Sequence, residues 1–263
     1  MSKQAANLSV FIITKNEERN IAECLKSVSF AGEVIVVDTG STDKTVQIAR
    51  DHGVRVECAV WEGFGLSKGR ALKYATGDWV LSLDADERVS AELAGEIQKA
   101  TEQNAIVGFE IPRLTNFVGS WIRHSGWYPD YVLRLFKRER GRFSPAQVHE
   151  QVILSGQLGR LKHHLLHYSY RSIEDYVSRM NRYTSLAARE LFDKNEPFSQ
   201  WQSIWQPLLK PFAVIFKRYI IKLGFLDGWA GVQIALLSGM YVFLKYSKLR
   251  QLERDRPVDM IVK

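Results

Sequence analysis

The sequence predicts an α/β protein with a mostly parallel central sheet and a C-terminal helical extension. Strand-like and helix-like segments alternate over the first 111 residues, and several glycines separate them. This alternation is typical of parallel strands joined by helices that cover both faces of a sheet. Two long apolar and aromatic stretches close the chain, at about 201–226 and 228–249. The 263 residues suffice for one large α/β domain with an appendage.

Each element of the first half follows from its residue pattern. Apolar runs rich in β-branched residues predict strands near 8–13, 33–37, 54–58, 79–83 and 106–111. Helical spacing predicts helices near 17–28, 43–51, 66–76 and 90–103. Residues 112–170 lose this rhythm, and a helix is expected from Ser172 to near Asn195. The predicted domains are therefore 1–170, with halves at about 7–111 and 112–170, and a helical extension at 171–263.

Polar side chains follow three of the predicted strands. They are Thr14, Asn16 and Glu17 after the first strand, Asp38 at the end of the second, and Asp84 and Asp86 at the end of the fourth. In a doubly wound sheet these strand ends line one crevice, where ligands bind. The three loops therefore predict a binding site at this edge of the sheet.

The pair Asp84 and Asp86 indicates a metal site. Side chains two residues apart leave an extended backbone on the same side, so both carboxylates can converge on one ligand. Hard oxygen ligands suit Mg²⁺ or Mn²⁺, which keep positions open for substrate phosphates. The alternative is an acidic turn that caps the following helix, and the pair alone does not decide between the two.

Charge and cysteine content restrict the setting of the protein. Residues 1–136 carry a net charge of −3, whereas 137–194 and 195–263 each carry +5, so the basic excess lies in the second half. That excess indicates an anionic partner: a nucleic acid, a phospholipid surface or an acidic acceptor. The two cysteines lie far apart, which fits a reducing cytoplasm. The chain enters a strand almost at once, so no secretory signal is expected.

Three motifs in order resemble the donor-site motifs of family 2 glycosyltransferases. They are Thr14-Lys15-Asn16-Glu17, the run 36–43 around Asp38, and Leu83-Asp84-Ala85-Asp86. More narrowly, the chain resembles lipopolysaccharide inner-core β-1,4-glucosyltransferases, through the runs 127–130, 134–136, 148–150 and 227–229. The resemblance implies a GT-A nucleotide-sugar-binding fold. It also implies inverting transfer of a hexose, foremost glucose from UDP-glucose, onto a heptose of the lipopolysaccharide inner core.

The resemblance assigns roles at the donor site. Thr14, Asn16 and Glu17 would meet the nucleotide, and Asp38 would accept hydrogen bonds from the uracil or ribose. Lys68 and Arg70 open a predicted helix and would neutralise the diphosphate. Ordinary helix capping and solvated surface charge are the alternatives for these residues. The expected donor is a UDP-sugar.

The metal ligands and the base follow from the same resemblance. Asp86 would bind Mg²⁺ or Mn²⁺, with Asp84 nearer the ribose, and His149 is the candidate for a further ligand. Inverting transfer is one displacement, and it needs a base for the acceptor hydroxyl. Asp130 is the predicted base, with Glu150 as the alternative. The family's base region usually reads Glu-Asp, whereas Pro129 stands in the Glu position here.

Other activities fit the sequence less well. No G-x-G-x-x-G follows the first strand, which disfavours a dehydrogenase, and no G-x-x-x-x-G-K-[ST] occurs, which excludes a P-loop NTPase. A glycosyltransferase with another donor or another cell-envelope acceptor stays open, and a nucleotidyltransferase is the alternative enzyme class. A basic nucleic-acid-binding module would leave three acidic strand ends unexplained, so no nucleic-acid partner is expected.

The last third of the chain predicts a membrane partner. Aromatic residues stand beside basic ones there: Trp201, Trp205, Phe212, Phe216, Tyr219, Phe225 and Trp229 with Lys210, Lys217, Arg218 and Lys222. This composition is typical of helices that lie in a membrane interface. Peripheral attachment to the cytoplasmic face of the inner membrane is expected, where a lipid A–core acceptor would be met. Core or oligomer helices, and a true span over 229–244, are the alternatives.

Overall fold

The computed structural model describes residues 5–144, 151–194 and 200–255, and its account of side chains omits residues 6 and 200–205. The chain divides into two compact units, residues 1–114 with 129–168 and residues 115–128 with 169–263. The sequence places 115–128 in the acceptor half of the first domain, whereas this division groups that segment with the C-terminal helices.

Most strands lie in the first unit; the short strand at 120–121 and the ends of two others fall in the second. The strands are β1 (Ala5–Thr14), β2 (Ala31–Asp38), β3 (Arg55–Cys58), β4 (Trp79–Asp84), β5 (Glu87–Val89), β6 (Ile106–Phe117), β7 (Ser120–Trp121), β8 (Asp130–Lys137), β9 (Gly141–Phe143), β10 (Val152–Leu154), β11 (Gln157–Arg160) and β12 (Leu165–Tyr170). The order β3-β2-β1-β4 is parallel throughout; β8 pairs antiparallel with β4, and β6 in turn pairs antiparallel with β8. The predicted α/β fold with parallel central strands is confirmed.

The helices lie where the sequence predicts them, with shifted ends. They are α1 (Ile21–Ser27), α2 (Thr45–Asp51), α3 (Phe64–Tyr74), α4 (Ala91–Ala100), α5 (Ile173–Asp193), α6 (Gln200–Phe216) and α7 (Gly228–Arg254). The helix predicted from residue 17 begins at Ile21. The backbone N–H groups of residues 16–18 donate instead to side chains of the loop between β2 and α2, so this segment serves as a brace between two loops.

Alternating side chains of β1 pack into two apolar cores. Val10 and Ile12 face a large cluster that includes residues of α1 and α4, and Phe11 and Ile13 face a second cluster that includes Ala71 of α3. Successive residues of a strand point to opposite faces of the sheet, so one strand contributes to both layers. This packing fixes the carboxyl end of β1 beside those of β2 and β4.

The second unit is helical. Helix α7 packs against both α5 and α6, and Phe117, Ile122, Ala230 and Ile234 form a small buried cluster. Among the described residues no single helix has the length and apolar character of a membrane span. The pair Gln206–Ile221 and Gly224–Arg254, bent by 72°, meets these criteria only when taken together.

Candidate active site

The acidic end of β4 is surrounded by charged side chains. The Asp84 carboxylate pairs with the Nζ of Lys68, at 3.1 Å from Oδ1, and with the guanidinium of Arg134. Only 2% of the Lys68 side chain is exposed. The predicted diphosphate-binding lysine and the predicted ribose-binding aspartate therefore meet in the structure.

Six alternating charges extend from this strand end, and we call them the charge chain. In order they are Lys68, Asp84, Arg134, Glu87, Arg113 and Asp130. Glu87 is fully buried, and its Oε1 lies 2.7 Å from the Nη2 of Arg134 and 3.5 Å from the Nη1 of Arg113. Its other oxygen accepts the backbone N–H of Asp84 at 3.0 Å. Glu87 thus joins the Asp84-Ala85-Asp86 motif to the predicted base.

The charges in the chain stabilise one another. Burial disfavours a charged Asp84, yet Arg134 and Lys68 outweigh burial and hold the pKa of this carboxyl well below its ordinary value. Burial likewise works against a charged Arg134, but Asp84 and Glu87 raise its pKa above the usual range. Opposite charges within a few ångströms favour the ionised form of both partners. Asp84 is therefore an anion at every physiological pH.

Asp130, the predicted base, begins β8 opposite Arg113 of β6. The two residues are direct partners in the antiparallel register of these strands. The Nε and Nη2 of Arg113 donate to the Oδ2 of Asp130 at 3.0 and 2.6 Å. The Asp130 side chain is 43% exposed, so this two-point contact holds an accessible carboxylate in one orientation.

The ends of β1 and β2 also lie together. Oδ2 of Asp38 accepts the backbone N–H groups of Gly40 and Ser41 at 3.0 and 2.9 Å, and Oδ1 accepts the Ser41 hydroxyl. The hydroxyl of Thr14 is buried and has no hydrogen-bond partner in the described part of the chain. Buried hydroxyl groups in proteins rarely lack a hydrogen-bond partner. A bound ligand would supply the missing partner of Thr14.

Asn16 and Glu17 brace the first loop against the second. Asn16 adopts a left-handed backbone, with φ of 56°, which asparagine tolerates better than most residues. Its Oδ1 accepts the backbone N–H of Thr42 at 2.8 Å, and the N–H of Glu17 donates to the Thr45 hydroxyl at 2.7 Å. The structure gives these two residues a supporting role in the loop; the predicted nucleotide contact stays a prediction.

Other predicted residues are placed differently. Arg70 pairs with Glu62, and its side chain is 38% exposed. Lys68 pairs instead with Asp84, so the two predicted diphosphate-binding residues have different partners. The ring of Trp127, in the motif run 127–130, packs against Phe117 and Tyr170. His149 and Glu150 lie outside the described residues.

The second carboxylate of the motif meets a histidine that the sequence did not single out. The Oδ2 of Asp86 lies 3.4 Å from the Nε2 of His167, on β12. Strand β12 pairs antiparallel with β5, directly after the motif, which brings His167 opposite Glu87. No group of three or more candidate ligands occurs among the described residues. Asp86 with one histidine is nevertheless a donor set that fits Mg²⁺ or Mn²⁺, because substrate phosphates and water complete such sites.

A cavity of about 420 Å³ opens beside the charge chain. Its lining includes Lys68, Asp84, Arg113, Arg134, Tyr131 and Phe143. Its volume lies in the range of small-molecule sites. Three cations, two carboxylates (Asp84 and Glu110) and two aromatic rings surround this space. Cations outnumber carboxylates there, which suits an anionic ligand that also carries a ring.

The parallel strand ends, the Asp-Ala-Asp motif and the charged cavity define a GT-A glycosyltransferase. The chain belongs to glycosyl transferase family 2, whose profile matches residues 9–153. The resemblance noted from the motifs is thereby confirmed.

Several relatives match nearly the whole chain, among them two glycosyltransferases. An uncharacterized glycosyltransferase of Rickettsia typhi is 33% identical over 262 residues, covering 93% of this chain and 87% of the relative. The lipopolysaccharide core biosynthesis glycosyltransferase LpsC of Rhizobium meliloti is 28% identical over 259 residues, covering 93% and 92%. Among solved structures, the mannosyltransferase PcManGT of Pyrobaculum calidifontis in complex with GDP-Man and Mn²⁺ matches with 15% identity and a TM-score of 0.49, over 97% of this chain and 90% of that one.

Proposed function

We propose that the enzyme transfers glucose, with inversion, from UDP-glucose to a heptose of the lipopolysaccharide inner core. The observation behind the proposal is the end of β4, where Asp84 lines a cavity together with Lys68 and Arg134, and Asp86 follows two residues later beside His167. The named function of the Rhizobium relative supports the lipopolysaccharide acceptor. Glucose and heptose come from the narrower motif resemblance.

Asp86 is the protein's metal ligand in this proposal. Asp84 is engaged by Lys68 and Arg134, whereas Asp86 has a histidine neighbour, as metal-binding carboxylates often do. His167 lies beside it, and His149 is the ligand predicted from sequence. A bound Mg²⁺ or Mn²⁺ supplies Lewis-acid stabilisation of the charge that develops on the departing UDP.

The rest of the donor site neutralises and positions the nucleotide. Lys68 and Arg134 line the cavity and oppose the negative charge of the diphosphate. Thr14 and Asp38, at the neighbouring strand ends, are the proposed contacts of the nucleoside. The brace formed by Asn16 and Glu17 keeps these loops in place before the donor arrives, which limits the ordering that binding requires.

Asp130 accepts the proton of the acceptor hydroxyl in this mechanism. Arg113 engages only Oδ2 in the described contacts, so Oδ1 is the oxygen proposed to take the proton of the acceptor hydroxyl. A single displacement at the anomeric carbon needs a base but no covalent nucleophile. Glu150 is the alternative base.

The acceptor directs the enzyme to a membrane. A glycolipid cannot leave the bilayer readily, because each exposed CH₂ of its acyl chains costs about 0.8 kcal/mol. Helix α6 carries exposed apolar residues, among them Phe212 at 70% and Phe216 at 57%. Attachment is peripheral, on the cytoplasmic face of the inner membrane. Full-length protein is expected to float with liposomes that contain anionic lipid and to be released at high salt.

A donor and acceptor screen tests the proposed activity. UDP release is measured with UDP-glucose, UDP-galactose and UDP-N-acetylglucosamine, with and without a lipid A–core acceptor that ends in heptose. Acceptor-dependent release that is fastest with UDP-glucose is expected. Faster release with another UDP-sugar would overturn the assigned donor, and release independent of the heptose would overturn the assigned acceptor.

A further inference from the structure

The turn between α6 and α7 presents an unusual amount of apolar surface. We call residues 217–229 the elbow; it consists of a π-helical turn over Lys217–Ile221, a short 3₁₀ turn over Gly224–Asp227 and the start of α7. Six of its apolar side chains are between 45% and 72% exposed: Ile220, Ile221, Leu223, Phe225, Leu226 and Trp229. Contiguous exposed apolar patches of this kind mark interaction sites.

Close packing of the backbone makes the elbow rigid. A Cβ added to Gly231 would lie 1.8 Å from the carbonyl oxygen of Gly224, so only glycine allows the turn to approach α7 this closely. Leu223 adopts a left-handed backbone, with φ of 54°, which is uncommon outside glycine and asparagine. The turn therefore holds its apolar side chains on the surface.

Asp227 ties the elbow to the loop that precedes β8. Its carboxylate accepts the backbone N–H groups of Arg123 and His124 and the Ser125 hydroxyl, at 2.9 to 3.2 Å. Arg218 donates to the carbonyl oxygen of Ser125 at 2.7 Å. These bonds engage Asp227 and Arg218 inside the unit, and Phe225 packs edge-on against Tyr219. Leu226 and Trp229 remain more than half exposed.

The charges of the elbow match an anionic surface. Lys217 and Lys222 are exposed on either side of Ile220 and Ile221. Basic residues near a bilayer each contribute roughly 1 kcal/mol of attraction to anionic headgroups. Apolar side chains flanked by exposed lysines are the composition of segments that enter the boundary between headgroups and acyl chains.

We infer that the elbow is the part of the protein that inserts into an anionic phospholipid bilayer. This inference rests on the proposed membrane attachment and assigns it to one segment. Leu226 and Trp229 enter the acyl boundary, while Lys217 and Lys222 stay at the level of the phosphates. The exposed face of α6 lies on the surface without being the inserted element.

A single-cysteine label tests the insertion at Leu226. Cys58 is the exposed cysteine and Cys24 is buried; burial also raises the pKa of the Cys24 thiol, which keeps it unreactive. Leu226→Cys is made in a Cys58→Ser background and carries a polarity-sensitive fluorophore. The vesicles contain anionic phospholipid and a nitroxide-labelled lipid.

Leu186 of α5 provides a matched control. The two leucines are 56% and 58% exposed, and Ser185 hydrogen-bonds to Lys248. Lys248 lies 20 residues along α7 from Gly228, about 30 Å at 1.5 Å per residue. Leu186→Cys with the same fluorophore therefore reports on a similar surface far from the elbow.

The inference predicts a blue shift and nitroxide quenching at position 226, with neither at position 186. Leu226→Asp should lower the vesicle partition coefficient at least tenfold, and Leu186→Asp should change it less than twofold. Protein that floats while the label at 226 stays unquenched would overturn the insertion and leave the attachment standing. Protein that does not float would refute the attachment itself. A blue shift that grows with protein concentration and without vesicles would instead assign the elbow to self-association.

Discussion

The charge chain and the elbow depart in opposite ways from the usual rule that charged residues are exposed and apolar residues are buried. In the first unit, Glu87 and Lys68 are at most 2% exposed although both carry charge. In the second unit, Leu226 and Trp229 are more than half exposed although both are apolar. Charged residues are almost never fully buried unless they are paired, and large exposed apolar patches seldom occur on monomers.

The two regions differ in where their partners lie. The charge chain is completed within the protein, since each charge has an opposite partner a few ångströms away. The apolar side chains of the elbow are not buried within its own unit and remain on the surface. Removing a charge should therefore disturb stability as well as chemistry, whereas changing the elbow should disturb only association with a partner.

The largest expected effect is on turnover, at the accessible end of the charge chain. Asp130→Asn should lower kcat for acceptor-dependent UDP release by roughly 10²–10⁴, the usual contribution of a general base. UDP affinity, measured by calorimetry, should stay unchanged because Asp130 acts on the acceptor. An active Asp130→Asn together with an inactive Glu150→Gln would transfer the role of base to Glu150.

Next in size is the loss of the buried cation in the middle of the chain. Arg134→Met should lower the free energy of unfolding by about 3–5 kcal/mol, because it leaves Asp84 and Glu87 without their shared partner. Urea denaturation measures the change.

Arg55→Met is the control for that experiment. Arg55 pairs with Glu57 on the surface, where the two side chains are 48% and 29% exposed, and such a pair contributes less than about 1 kcal/mol. Equal destabilisation by the two substitutions would show that burial of the charge chain does not increase the loss of unfolding free energy when one partner is removed.

A smaller effect, with a defined pH dependence, is expected at Asp84. Asp84→Asn should lower the free energy of unfolding at pH 7 by about 1.5–3 kcal/mol, the contribution of hydrogen bonds to charged groups. Because the folded protein holds the pKa of Asp84 below its ordinary value, the wild type loses this stability as the pH falls below about 4, where an unfolded aspartate is protonated. The difference between wild type and variant should therefore narrow in acid, and a constant difference from pH 7 to pH 3 would contradict the pairing.

The smallest effect on stability is expected at the elbow. Leu226→Asp should change the free energy of unfolding by no more than about 0.5 kcal/mol, since the side chain is 56% exposed. Urea denaturation in the absence of vesicles measures it. A loss of several kcal/mol would mean that Leu226 supports the fold, and the contrast with Arg134 would then fail.

The predictable part of the site is the part built from local patterns. The apolar run 79–83 predicts a buried strand, and the motif that follows it places two carboxylates at the end of that strand. Both signals lie within eight consecutive residues. Lys68 follows in the same way from its place near the start of a helix. These features depend on neighbours in the sequence, and the structure shows Lys68 and Asp84 in contact.

The remaining part depends on strand pairing over long distances. Arg113 lies opposite Asp130 only through the register of β6 with β8, and His167 reaches Asp86 only through the pairing of β12 with β5. No period or spacing within the sequence specifies such a register. Glu87 directly follows the motif in the sequence. Its burial in the structure, however, is what indicates a partner of opposite charge.

Metal-dependent binding of UDP is the central prediction for the end of β4. Calorimetry with UDP and Mn²⁺ should show binding that Asp86→Ala or EDTA weakens at least tenfold, about 1.4 kcal/mol. Asp51→Ala, at an exposed carboxylate that ends α2, should bind as the wild type does. Equal UDP affinity with and without metal, or equal affinity in the Asp86→Ala variant, would contradict the assignment of the β4 end as the donor site.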